Sequence, residues 1–155
     1  MRDYKSLFFI LNFLFLLFIS GCDSSSAFSS EDSSDKHKEI CPKCNMELPA
    51  SNIYTARLHA QNKNYGFDDI GCLVLWSQEK SIDMYKAEVF ANDTHRYIKA
   101  SKAYFVFNEK TPMSYGFAAY ELQKENSIKI DEVKLRMLRG EHMGNPKIRK
   151  QILGY

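Results

Sequence analysis

From Asp23 to Glu39 the chain carries seven serines, five acidic residues and two lysines against a single Ala and a single Phe. That is too little apolar surface to offset the entropy of ordering a backbone, so residues 22–39 read as a flexible tether and everything that folds must follow them. Ahead of the tether, Arg2 and Lys5 precede an apolar run from Leu7 to Ile19 broken only by Asn12. These are the charged and hydrophobic regions of a secretory signal over residues 1–21, and the run is too short to span a bilayer comfortably. Residues 40–155 then have the length of one small domain, with ample aromatics including Trp76.

The leader ends in Ile19-Ser20-Gly21-Cys22, which resembles the lipobox of bacterial lipoproteins. The resemblance implies that Cys22 is lipidated, becomes the mature N-terminus and holds the protein on a membrane, facing the periplasm, without spanning it. From Ile40 onward there are 17 Lys and Arg against 13 Asp and Glu, a net of +4, scattered until they become denser toward the C-terminus. That is no nucleic-acid footprint. With Cys22 lipidated, three of the four cysteines remain. An odd number in an oxidising compartment leaves at least one thiol free or engaged outside an intramolecular disulfide.

Cys41-Pro42-Lys43-Cys44-Asn45-Met46 crowds three sulfur side chains into six residues. Thiolate and thioether are soft donors, for which copper(I) is the favoured guest. For the cysteine pair three explanations stay open: copper(I) ligands, half of a structural zinc site, or a disulfide. Structural zinc wants four N or S ligands, and only Cys72 and His59 are candidates beyond the pair. Asn45 directly after the second cysteine excludes haem attachment, which needs His there. A redox pair would sit between a strand and a helix, and Pro49 with its polar approach opposes that.

Met46 lies two residues beyond Cys44, so both sulfurs can face one metal, though a lone Met is commonly core. Cys72 is expected in the first turn of a helix, where backbone amides lower a thiol pKa, or else as a buried inert thiol. Met113 follows Pro112 in a loop where no periodicity demands an apolar residue. His59 alternates with Arg57 on a strand, as a ligand or as a satisfied surface residue. His37, His95 and His142 have no partner at ligand spacing, and Met84 and Met137 read as core. Asp68 and Asp69 read as a helix cap and not as an acid/base pair. No catalytic residue is expected.

The patterning predicts a single α+β domain of two ββαβ-like units. Ile53 to Ala60 reads as a strand, Gln61 to Asn64 as a turn and Tyr65 to Phe67 as its hairpin partner. A helix runs from Asp68 or Asp69 to about Glu79, and Met84 to Phe90 alternates as a strand. The second half is expected to repeat this with strands at Tyr97 to Ala100 and Ala103 to Phe107, a short helix near Phe117 to Lys124, and a strand around Ile128 to Ile130. A helix follows from Asp131 to Arg139, stopped by Gly140, and Asn145-Pro146 opens a last short helix.

The sulfur motif, the Ala56-Arg57-Leu58-His59 strand, the block Phe67-Asp68-Asp69-Ile70-Gly71-Cys72, the block from Tyr97 to Val106 and then Met113 occur in an order that resembles the NosL family. The likeness covers roughly Ile40 to Met137. It implies a tandem ββαβ fold and a lipid-anchored copper(I) carrier, not an enzyme, with nitrous oxide reductase as the copper recipient. The family's Cys two residues before a Met maps onto Cys44 and Met46, and its later Met onto Met113. Cys41 is found in only some members, and Ser114 to Phe117 is shorter than the family's corresponding stretch. The other readings of the same residues are a membrane-anchored thiol-disulfide protein using Cys41 and Cys44, and a zinc-binding interaction module.

Overall fold

In the computed structural model, which describes residues 39–154, strand β1 (Ala56–Ala60) turns Ala56 and Leu58 inward and leaves Arg57 and His59 exposed. Alternation of side-chain direction along a strand makes that division. Gln61 and Asn62, at φ 51° and 59°, form a two-residue turn into β2 (Lys63–Phe67), with Ala56 opposite Phe67 and Ala60 opposite Lys63. Positive φ at both turn residues matches the twist of a tight hairpin, so the turn is shorter than expected and β2 correspondingly longer.

Helix α1 (Ile70–Lys80) starts where the Asp69 carboxylate accepts the Gly71 N–H at 2.8 Å. Ile70, Cys72, Leu73, Val74 and Trp76 are all buried along it. Trp76 meets the rings of Tyr65 and Phe67 at centroid distances of 4.6 and 5.4 Å, which seats the helix on the first hairpin.

The segment expected as a strand from Met84 to Phe90 is divided. Asp83 accepts the Tyr85 N–H at 2.9 Å and caps a 3₁₀ turn, Met84–Lys86, so the strand β3 is only Glu88–Ala91. β3 pairs with β1 and with β4 (Arg96–Lys99), giving one antiparallel sheet in the order β2-β1-β3-β4. The expected first ββαβ unit is therefore β1, β2, α1 and β3, and β4 extends the same sheet.

In the second half, Phe117 to Lys124 does not form a helix. Phe117–Tyr120 is strand β6, paired with β5 (Tyr104–Phe107) in a separate two-stranded sheet. A short apolar run lacks the length to declare its period, and here the free edge of β5 decides it. Asn92 donates to the Ala119 carbonyl at 2.9 Å and Asp93 accepts the N–H groups of Glu121 and Leu122, so the β3–β4 turn stops β6 and joins the two sheets. The expected strand at Ile128 to Ile130 shrinks to one bridge between Phe105 and Ile128. Ile130 already begins α2 (Ile130–Arg139), which Gly140 ends at φ 73° as expected. Asn145 and Pro146 open α3 (Pro146–Leu153), also as expected.

The α+β fold of one small domain holds. The expected signal peptide, the Cys22 lipidation site, His37 and nearly all of the tether lie outside the described residues. Among the described residues, no helix is long and apolar enough to cross a membrane.

Gly71 in the first turn of α1 touches the second half directly. A methyl group there would come within 2.5 Å of Cγ of Tyr115 and 2.8 Å of the Met137 terminal carbon. Met137 can swing aside but the ring root cannot. Gly71→Ala is therefore expected to lower stability by about 1–2 kcal/mol, overpacking outweighing the gain in helix propensity. Urea unfolding checks this, and an unchanged midpoint would show that Tyr115 does not bear on this turn.

Candidate metal centre

Residues 41–46 form a closed loop. The Cys41 N–H donates to the Met46 carbonyl at 2.8 Å, the Asn45 N–H donates to the Cys41 carbonyl at 2.9 Å, and Asn45 takes φ 60°. An Asn tolerates that left-handed backbone better than most residues. The flanking residues Ile40 and Glu47 pair antiparallel, and the Leu48 N–H reaches the Glu39 carbonyl at 2.9 Å. Lys43 forms an ion pair with Glu79 near the end of α1. Folding the loop in this way aims the Cys44 amide at the Cys41 sulfur and the Met46 amide at the Cys44 sulfur.

The other half of the site comes from the junction between β2 and α1. Asp69 has an extended backbone, φ −143° and ψ 140°. Successive side chains in such a backbone point opposite ways, so Asp69 caps the helix while Asp68 turns toward the loop. The ligand atoms of Cys41, Cys44, Asp68 and Cys72 all lie within 4.8 Å of one another. Cys41, Asp68 and Cys72 are fully buried, and Cys44 is partly exposed at the rim. All three thiols are free despite their proximity.

The Cys44 thiol donates to Asp68 Oδ1 at 3.1 Å, and Asp68 Oδ2 is buried with no hydrogen-bond partner. An unpartnered buried carboxylate oxygen beside three free thiols is expensive to keep and fits a cation. This cluster can hold a metal ion.

The thiols divide by charge. The Cys72 thiol and the amides of Cys44 and Asp68 donate to the Cys41 sulfur and pull its pKa down to about 6, against burial and the Asp68 carboxylate. Cys72 is pushed up because it spends its proton on Cys41 and is itself buried. Burial raises Cys44 to about 12, with the Asp68 and Cys41 side chains adding to the effect. Tyr115 also rises to about 12, first by burial and then through the neighbouring Cys72 and Asp69 side chains. At neutral pH the cluster thus holds one thiolate and two thiols.

Of the residues singled out in the sequence, Cys41, Cys44 and Cys72 are brought together. Met46 ends the loop with its side chain 44% exposed. Met113 is partly buried against the core, and its N–H donates to Asp69 Oδ2 at 3.1 Å, so its loop is fastened to the residue beside Asp68. His59 is not brought to the cluster: it lies on the exposed face of β1, its Nδ1 2.7 Å from Asn64 Oδ1, because it alternates with the inward Leu58. His142 stands edge-on to Tyr115 at 5.0 Å.

Sequence reasoning missed Asp68, Thr111 and Tyr115. For Asp68 a signal existed, since only one of two adjacent acids can cap a helix and the other must go elsewhere. Thr111 donates to Asp69 Oδ2 at 2.6 Å, a contact across 42 positions that no local pattern announces. Comparison with known proteins returns no matching family model, no matching curated protein and no matching solved structure.

The lowered Cys41 pKa has a defined pH signature. The folded value of about 6 lies below the ordinary 9.0, so the stability this thiolate contributes is complete above pH 9 and lost as pH falls through 6. In reduced, metal-free protein, thiolate absorbance near 240 nm is expected to show a step near pH 6 that Cys41→Ser removes. The wild-type advantage in melting temperature over that variant should shrink across the same interval. A step that persists in Cys41→Ser would assign the low value to another thiol.

Proposed function

We propose that this protein is a carrier of copper(I), of the NosL kind, that binds the ion on its cysteine cluster and releases it by ligand exchange without catalysing a reaction. The observation that carries this reading is the convergence of three free thiols, two buried and one at the rim. Soft sulfur donors favour copper(I) over harder divalent ions. Cys41, already a thiolate, is the ready first donor. As the Cys44 sulfur turns to the ion, its thiol proton leaves and its hydrogen bond to Asp68 Oδ1 is given up. Cys44 at the rim is then the donor an incoming ligand displaces first, and the exposed Met46 beside it offers a sulfur on the way out.

On this reading Cys22 carries the lipid anchor, the tether lets the domain reach a partner outside the cytoplasm, and nitrous oxide reductase receives the copper. The order of motifs from Cys41 to Met113 supports these assignments through the family likeness.

One observation favours a second reading. Asp68 supplies a hard oxygen that copper(I) does not need, and three cysteines with one carboxylate make the four-ligand set of a tetrahedral zinc site. In that case the protein is a zinc-binding module.

Chelator competition on reduced protein separates the two. For the carrier, one copper(I) per chain is expected, weakened about tenfold or more in Cys44→Ser, in Cys72→Ser and in the double variant Cys44→Ser with Met46→Ala. Asp68→Asn should change copper affinity by less than tenfold, since on this reading Asp68 is a hydrogen-bond acceptor for Cys44 and not a ligand. Zinc retained against a chelator and lost in Asp68→Asn, with no tight copper(I), would replace the carrier by the zinc module. Far-UV circular dichroism on each variant checks that the fold is intact.

A further inference from the structure

Helix α3 (Pro146–Leu153) buries none of its residues. A helix this short is not stable on propensity alone, and here its termini supply the order. Asn145 Oδ1 accepts the Lys147 N–H at 3.1 Å while its Nδ2 donates to the Gly140 carbonyl at 2.8 Å, so one side chain joins the end of α2 to the start of α3. Pro146 is preset for the first turn and Gly154 closes the last one at φ 76°. Arg149 and Leu153, both exposed, also border a hollow of about 260 Å³ with Met143 and the segment between β5 and β6, so the helix is held at its ends and not by a packed face.

Its outward chemistry is uniform in sign. The charged residues of α3 are Lys147, Arg149 and Lys150, all exposed, with no acid among them. Ile152 and Leu153 are 39% and 43% exposed on the same short helix. Preceding α2 also exposes Leu135 and Leu138, with Arg139 at its end. Cations interleaved with bare aliphatic side chains match a surface that offers negative charge and an apolar layer together.

We infer that α3 is a docking helix for an anionic lipid surface, its three cations meeting the headgroups while Ile152 and Leu153 enter the boundary beneath. No buried polar group on the helix reads the sequence of an acidic peptide. Its lack of aromatic side chains and the domain's modest net charge argue against nucleic acid. The inference is independent of the metal cluster and of the leader.

Hydrogen exchange on the full chain tests it, because an anchor elsewhere in the chain cannot protect the amides of residues 148–153. The protein is reconstituted in vesicles of phosphatidylcholine alone and of phosphatidylcholine mixed with phosphatidylglycerol. Protection of those amides is expected to rise about tenfold or more only in the anionic vesicles, and to fall away in high salt. It should also be lost in the triple variant Lys147→Gln, Arg149→Gln, Lys150→Gln and in the double variant Ile152→Ser, Leu153→Ser. Neither variant should unfold the domain, since α3 contributes nothing to the core. Equal protection in both vesicle types, or protection produced only by an added acidic protein or RNA, would overturn the assignment.

Discussion

The carboxylate of Asp69 collects donors from two distant parts of the chain: the Gly71 N–H at 2.8 Å on one oxygen, and the Thr111 hydroxyl at 2.6 Å and the Met113 N–H at 3.1 Å on the other. Thr111 in turn accepts the Gly116 N–H at 3.1 Å, at the entrance to β6. This buried group therefore starts α1, fastens the 111–116 loop over its first turn and sets where β6 begins. Burial raises its pKa while the three donors resist the rise, the balance expected of a carboxylate kept inside by complete hydrogen bonding. Tyr115, on the same loop, lies against Gly71, one residue before Cys72.

Asp68 stands one position earlier and in a different situation. It is as buried as its neighbour, yet one oxygen has only the Cys44 thiol and the other has no partner. Gathering this carboxylate with a thiolate and two further thiols sets negative charge in a cluster of which only Cys44 is partly exposed. The unpartnered Asp68 oxygen costs the metal-free protein stability, which a cation held there would restore. The hydrogen bonds onto Cys41 soften the conflict by spreading its charge over two amides and the Cys72 thiol.

The C-terminal helices follow another logic. α2 has one buried stripe, Ile130, Val133 and Met137, and leaves Leu135 and Leu138 outside, while no residue of α3 is buried and only Ile148 is partly so. Core packing does not account for α3. What keeps it in place is terminal chemistry: Asn145 spanning two helix ends, a proline at the start and a glycine at the stop.

By itself the sequence determined whatever depends on neighbours along the chain. The β1–β2 hairpin follows from the alternation of Ala56 to Ala60 and a polar turn after it, though the turn is two residues and not four, α1 follows from its cap and apolar run, and the end of α2 and the start of α3 follow from Gly140 and Asn145-Pro146. The sulfur motif was legible for the same reason, since six consecutive residues hold it. Tertiary structure alone decided that Phe117 to Tyr120 is a strand, because an open edge of β5 outweighs the weak preference of four residues. It alone drew Cys72 and Asp68 to the loop, and it left His59 outside because the inward side of β1 was taken by Leu58. A metal centre is a meeting of side chains whose separation in space has no counterpart in their separation in sequence, so its members become visible only once the chain has folded back on itself.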